Sequence, residues 1–180
     1  MNRSVRLAFC GVITALCVML MFLTGLIPIG TYALPGLAGV LMIVVVVELG
    51  VSWAWPVYAA SSFLSFLIAP DKEAALIYVI FLGYYPILKS LIERRRKGFL
   101  QTCLLKFAIF NAAMIAEYFL SIRILNIPQE SFTVFGVSLP AAFLVLANIT
   151  FAFYDYALSG LVVMYFKKFH QMLSRLLHSK

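Results

Sequence analysis

Along the chain, apolar residues come in long runs separated by short clusters of proline, glycine and charge. The first run extends from Leu7 to about Ile27 without a charged side chain. About 20 such residues, at a rise of about 1.5 Å each, cross the hydrocarbon of a bilayer as a helix. Further runs cover about 35–50, 54–69, 74–92, 99–122 and 139–166. Between the first two, Pro28, Gly30, Pro35 and Gly36 mark a turn-rich loop over 28–36. Gly50, Ser52 and Pro56 mark a tight turn, with Trp53 and Trp55 as interfacial anchors. Pro70-Asp71-Lys72-Glu73 is a compact polar loop, and Arg123–Ser138 is the longest connection. The pattern predicts an all-α integral membrane protein, a single six-helix domain over 1–180. Residues 167–180 form a basic tail in which Phe169, Met172, Leu173, Leu176 and Leu177 recur at helical spacing, as in a helix lying on a membrane surface.

Composition agrees with this. Hydrophobic residues make up 64% of the 180 and charged ones 12%, against about half and about a quarter in soluble domains. So short a chain leaves no room for a soluble catalytic module. The first run is long for a signal peptide and shows no persuasive cleavage site, so it is expected to be an uncleaved helix. The net charge of +7 is concentrated beside the apolar runs, which fits topology signals rather than nucleic-acid binding. Arg94-Arg95-Arg96-Lys97 is the densest block. Placing it inside the cell puts both termini inside and leaves only Lys72 and Arg123 of the fourteen Lys and Arg outside. Cys10, Cys17 and Cys103 form no CxxC pair and are expected as small buried hydrophobes without a metal or redox role.

Polar residues within the spans carry the candidate chemistry, because lipid cannot satisfy them. Glu48 is placed to pair with Lys89 or Arg94 at the inner end. Glu117 has two readings, ligand contact and pairing with Arg123. Asn111 and Tyr118 share one face of the fifth helix, while Asn148, Asp155 and Ser159 share one stripe of the sixth. Asp155 is deep enough to meet Lys106 instead of a ligand. Tyr78, Tyr85 and Lys89 are expected on one face of the fourth helix, with Lys89 snorkelling to the inner surface and Pro86 kinking the helix. Asn148-Ile149-Thr150 matches a glycosylation sequon by chance. Both histidines, His170 and His178, are in the tail, and the chain has no Gly-rich phosphate loop. Those absences argue against an enzyme and against an ATPase in the chain itself. No cofactor is expected.

The first helix reads Ala8-Phe9-Cys10-Gly11-Val12-Ile13-Thr14-Ala15-Leu16 and is followed by a Pro/Gly-rich outer loop. With the length, helix count and orientation, this resembles the S components of energy-coupling factor (ECF) transporters. The resemblance implies capture of a vitamin or similar micronutrient from outside. It also implies partnership with a transmembrane coupling subunit and two ATPase subunits in a bacterial or archaeal plasma membrane. The family docks its coupling subunit on an Ala-xxx-Ala pair in the first helix. Here the nearest match is Gly11-xxx-Ala15, with Ala8 one turn earlier. The family's ligand region lies in the outer half, which by position implicates Tyr32, Tyr78, Asn111, Glu117, Tyr118 and Asn148. Two other functions fit the polar residues: a small secondary transporter or channel using Glu117 and Asp155, and a non-transporting scaffold subunit.

Overall fold

The computed structural model of the protein describes residues 3–27, 30–95, 98–124, 133–134, 137–138 and 140–168. The order is α1 (Arg3–Leu23), α2 (Gly30–Glu48), α3 (Val51–Ile68), α4 (Lys72–Ile77), a π-helical turn (Tyr78–Leu82), α5 (Tyr85–Arg94), α6 (Phe99–Ile124) and α7 (Pro140–Lys168). α4, the π turn and α5 form one continuous span, Lys72–Arg94. With it, the chain has six helices long and apolar enough to cross a membrane. A two-residue ladder pairs β1 (Thr133–Val134) with β2 (Val137–Ser138), inside the connection expected as loop. The basic tail lies outside the described residues, apart from the end of α7.

Several boundaries differ from those expected, for local reasons. α1 begins at Arg3 rather than Leu7 and stops at Leu23, where the Thr24 hydroxyl donates to the Met21 carbonyl at 2.7 Å. α2 begins at Gly30, so most of the expected 28–36 loop is helical, with Pro35 inside it. Pro35 sits early in the helix, and the bond it forgoes is one to Thr31. The α2–α3 reversal turns at Gly50, whose φ of +86° lies in the left-handed region that favours glycine. Asp71 caps α4: its Oδ1 accepts from the backbone of Glu73 and Ala74 at 3.0 and 3.1 Å.

The π turn is a consequence of Pro86. Proline has no N–H to offer the carbonyl four residues back, and its ring crowds that carbonyl. The preceding turn loosens, and the Gly83 N–H reaches five residues back to the Tyr78 carbonyl at 2.8 Å. The Leu82 carbonyl then faces α2, where a Cβ on Gly39 would lie 2.5 Å from it. Gly39 is therefore a point of close backbone approach, which small residues permit in membrane bundles.

α2 and the Lys72–Arg94 span are the interior of the bundle. That span is 61% buried, whereas α1, α6 and α7 each bury less than a quarter of their residues. α1 buries one stripe, Cys10, Ile13, Cys17 and Met21, against α2 and α3. Around the interior pair lie two packed groups. One joins α1, α2 and α3 to Tyr78, and the other joins Phe81 and Tyr85 to Phe110 and Phe151 of α6 and α7. Phe110 and Phe151 stack 4.4 Å apart. The extra residue of the π turn separates these faces. Tyr78 and Tyr85, expected on one stripe, therefore serve different groups.

Candidate functional site

At the end where α2 and α4 begin, Thr31 donates to Asp71 Oδ2 at 2.9 Å and Tyr32 donates to Glu73 Oε1 at 3.0 Å. The same Asp71 caps α4, so this corner is fixed by side chains on both helices. Tyr32 is 65% exposed. Glu117 accepts from the Ser121 hydroxyl at 2.8 Å, one helical turn along α6, rather than taking Arg123 as its partner. Tyr118 packs edge-on against Phe119, with ring centroids 5.6 Å apart.

Deeper in the bundle, Asn111 of α6 and Asn148 of α7 form a reciprocal amide pair, each side-chain nitrogen 2.9 Å from the other's oxygen. Each nitrogen also donates to the carbonyl four residues back, Phe107 or Leu144, at 2.8 Å. All four amide hydrogens are thereby used. Tyr78 stands apart from the other candidates. It is fully buried, with its hydroxyl 2.8 Å from Ser61 Oγ. The structure thus joins Asn111 to Asn148, Tyr32 to Glu73 and Glu117 to Ser121, while Tyr78 belongs to the packing between the first four spans.

The principal charged constellation is one that the sequence reading saw only in part. Lys106 bridges Glu93 at 2.7 Å and Asp155 at 3.0 Å. Lys89 bridges Glu93 at 2.9 Å and also contacts Asp155. Tyr85 donates to Asp155 Oδ1 at 2.6 Å. The expected Asp155–Lys106 pair is present within this larger cluster. Lys89, in contrast, is buried and turned toward α7 instead of snorkelling to the surface. Glu48, for which Lys89 was one expected partner, accepts from Tyr165 at 2.6 Å. Two lysines and two carboxylates leave the quartet formally neutral, which is what makes such burial affordable within a membrane. The Lys89–Glu93 spacing of four residues was a sequence signal for it.

Two clefts flank the bundle, and neither is lined by the six candidate ligand residues. An open apolar groove of about 650 Å³ lies between α1 and α3, lined by Gly11, Thr14, Ala15, Val18 and others. Ala8, Gly11 and Ala15 are all exposed, and nothing lies within 4 Å of a Cβ added at Gly11. A second cleft, of about 360 Å³, lies between α2, α5 and α7 beside the quartet. Among the described residues, no three His, Cys, Asp or Glu side chains gather as a metal site. Comparison with family models, curated proteins and solved structures finds no match to the chain.

Proposed function

We propose that the chain is the non-enzymatic substrate-capture subunit of an ATP-driven importer of the ECF type. It takes a vitamin or similar micronutrient from the outside and hands it on through a transmembrane coupling subunit driven by two ATPases. The observation that carries this reading is the exposed small-residue face of α1. Gly11 and Ala15 border an apolar groove, with exposed Ala8 one turn earlier and open space at Gly11, and such a face admits a second helix at close range. Tyr32 and Glu117 are the polar groups offered to the ligand, with Asn111 and Asn148 contributing only the spare acceptor capacity of their side-chain oxygens unless their pair opens, Tyr118 as an aromatic wall and Tyr78 as framework. The quartet holds the bundle together, because Asp155 is already engaged by two ammonium groups and a phenol.

Affinity purification from the native membrane tests the reading. The chain should bring down a membrane protein and two ATPases, and should retain a small molecule identifiable by mass spectrometry. Gly11→Leu meets no neighbour within the chain, so it should abolish the complex while leaving the retained molecule in place. Coupled transport by the chain reconstituted alone would instead establish the secondary transporter. An intact complex in Gly11→Leu would remove the docking role of α1.

A further inference from the structure

The cleft between α2, α5 and α7 has two chemically distinct parts. Its walls are apolar, with Val46 and Val47 from α2 facing Leu158 and Val162 from α7. Its rim is polar, formed by Ser90, Glu93 and Arg94 at the end of α5, with Lys89 beneath. Glu93, whose side chain is 47% exposed, is paired with Lys89 and Lys106, which also hold Asp155. The quartet therefore cancels its own charge, and the rim keeps the charge of Arg94. That side chain is exposed and makes no ion pair among the described residues. Arg95, Arg96 and Lys97 follow it in the sequence, so the mouth of the cleft sits in the most positive stretch of the chain. From Leu158 to Phe166, the α7 wall runs about 12 Å along the helix axis.

An apolar slot under a cationic rim, at the charged end of the Lys72–Arg94 span, is complementary to an amphiphile with an anionic head. We propose that this cleft binds an anionic phospholipid, with its phosphate on the Arg94 guanidinium and Ser90 hydroxyl and one acyl chain between α2 and α7. Guanidinium presents paired donors to phosphate oxygens. Basic pockets between membrane helices on the cytoplasmic side take acidic headgroups for the same reason. The site is independent of whether the chain captures a micronutrient at its other end.

The full chain, reconstituted in nanodiscs of equal phosphatidylglycerol and phosphatidylcholine, provides the test by native mass spectrometry of retained lipid. Phosphatidylglycerol should be retained about tenfold over phosphatidylcholine, and Arg94→Gln should remove that preference. Val162→Trp, which fills the slot, should lower retention of the anionic lipid about as far. Arg123→Gln, at the opposite end of α6, should change nothing. Glycerol phosphate at millimolar concentration should not displace the lipid, because it lacks the chain that occupies the slot. Equal retention of the two lipids, or retention unaltered in both Arg94→Gln and Val162→Trp, would overturn the proposal. Displacement by glycerol phosphate would also overturn it and identify a soluble-phosphate site. Arg94 is exposed, so a folded Arg94→Gln variant keeps the test decisive even where Val162→Trp fails to fold.

Discussion

At the scale of single residues, Asp155 shows how a membrane bundle holds an ionised group. Its carboxylate is met by Lys89, Lys106 and Tyr85. Asp155→Asn removes one of two negative charges and leaves the quartet with a net positive charge inside the bundle. Breaking a buried pair from one side costs about 3–5 kcal/mol. The Asp155 side chain is 24% exposed, so the loss should fall near the lower end of that range. Thermal unfolding in detergent would measure it, and Lys106→Met added to Asp155→Asn should restore part of the loss. Asn148→Ala and Glu117→Gln should each weaken ligand binding at least about tenfold, the effect of removing one placed polar group. The amide pair adds a condition. Asn111→Ala leaves the Asn148 amide unpaired and Asn148→Ala leaves that of Asn111, so the two variants should show similar losses of stability, about 1 kcal/mol. Titration with the retained ligand separates the binding effect from that shared loss. Unchanged affinity in both Asn148→Ala and Glu117→Gln would place the site elsewhere.

At the scale of elements, the Lys72–Arg94 span is the joint of the bundle. Pro86 loosens the turn before it, and the π turn redirects the side chains that follow. Tyr78 then faces the α1–α3 side while Phe81 and Tyr85 face α6 and α7. The freed Leu82 carbonyl leans on Gly39. Gly39→Leu would drive a side chain into the Leu82 carbonyl, 2.5 Å from the Cβ position, and that backbone cannot withdraw without parting the helices; the Tyr154 hydroxyl, at 2.7 Å, would have to shift as well. A destabilisation of about 1–3 kcal/mol is expected, with a lower unfolding temperature as the readout. Gly11→Leu, in open space on α1, should leave that temperature unchanged, so the two glycines distinguish a packing contact from an exposed face.

At the scale of the whole molecule, the outer spans α1, α3, α6 and α7 turn many large apolar side chains outward, as a bundle surrounded by lipid does. The positive-inside rule expects the ends rich in Lys and Arg on the inner side. A single cysteine placed at Lys72 or Glu130 should react with an impermeant reagent added to intact cells, and one at Lys97 should not. Cys10 and Cys17 are buried, so replacing the more accessible Cys103 first gives a quiet background. Labelling at Lys97 would reverse the topology.

The number of spans, and their places to within a few residues, could be read from the sequence alone. An apolar run long enough to cross lipid has few alternatives to helix, since every backbone group must be satisfied within the segment. The Asp155–Lys106 pair was also visible, because an acid and a base within apolar runs seek each other. Helix rotation was legible only through polar residues. α7 carries apolar side chains on nearly all its faces, so only the stripe of Asn148, Asp155 and Ser159 marked the side turned from lipid, without saying which partners it meets. Those partners were decided by packing: Asn148 found Asn111, and Asp155 found two lysines from separate helices. Pro35 and Gly36 read as a loop, yet the start of α2 accommodates both, its first turns tied through Thr31 and Tyr32 to α4. The stripe of Tyr78, Tyr85 and Lys89 assumed regular helical spacing, and the π turn before Pro86 broke it. Composition and length determine that these segments span a membrane, because that depends on each segment's own exchange with lipid. Which polar groups meet within it is a property of several helices at once, fixed only when their rotations and close approaches are set together.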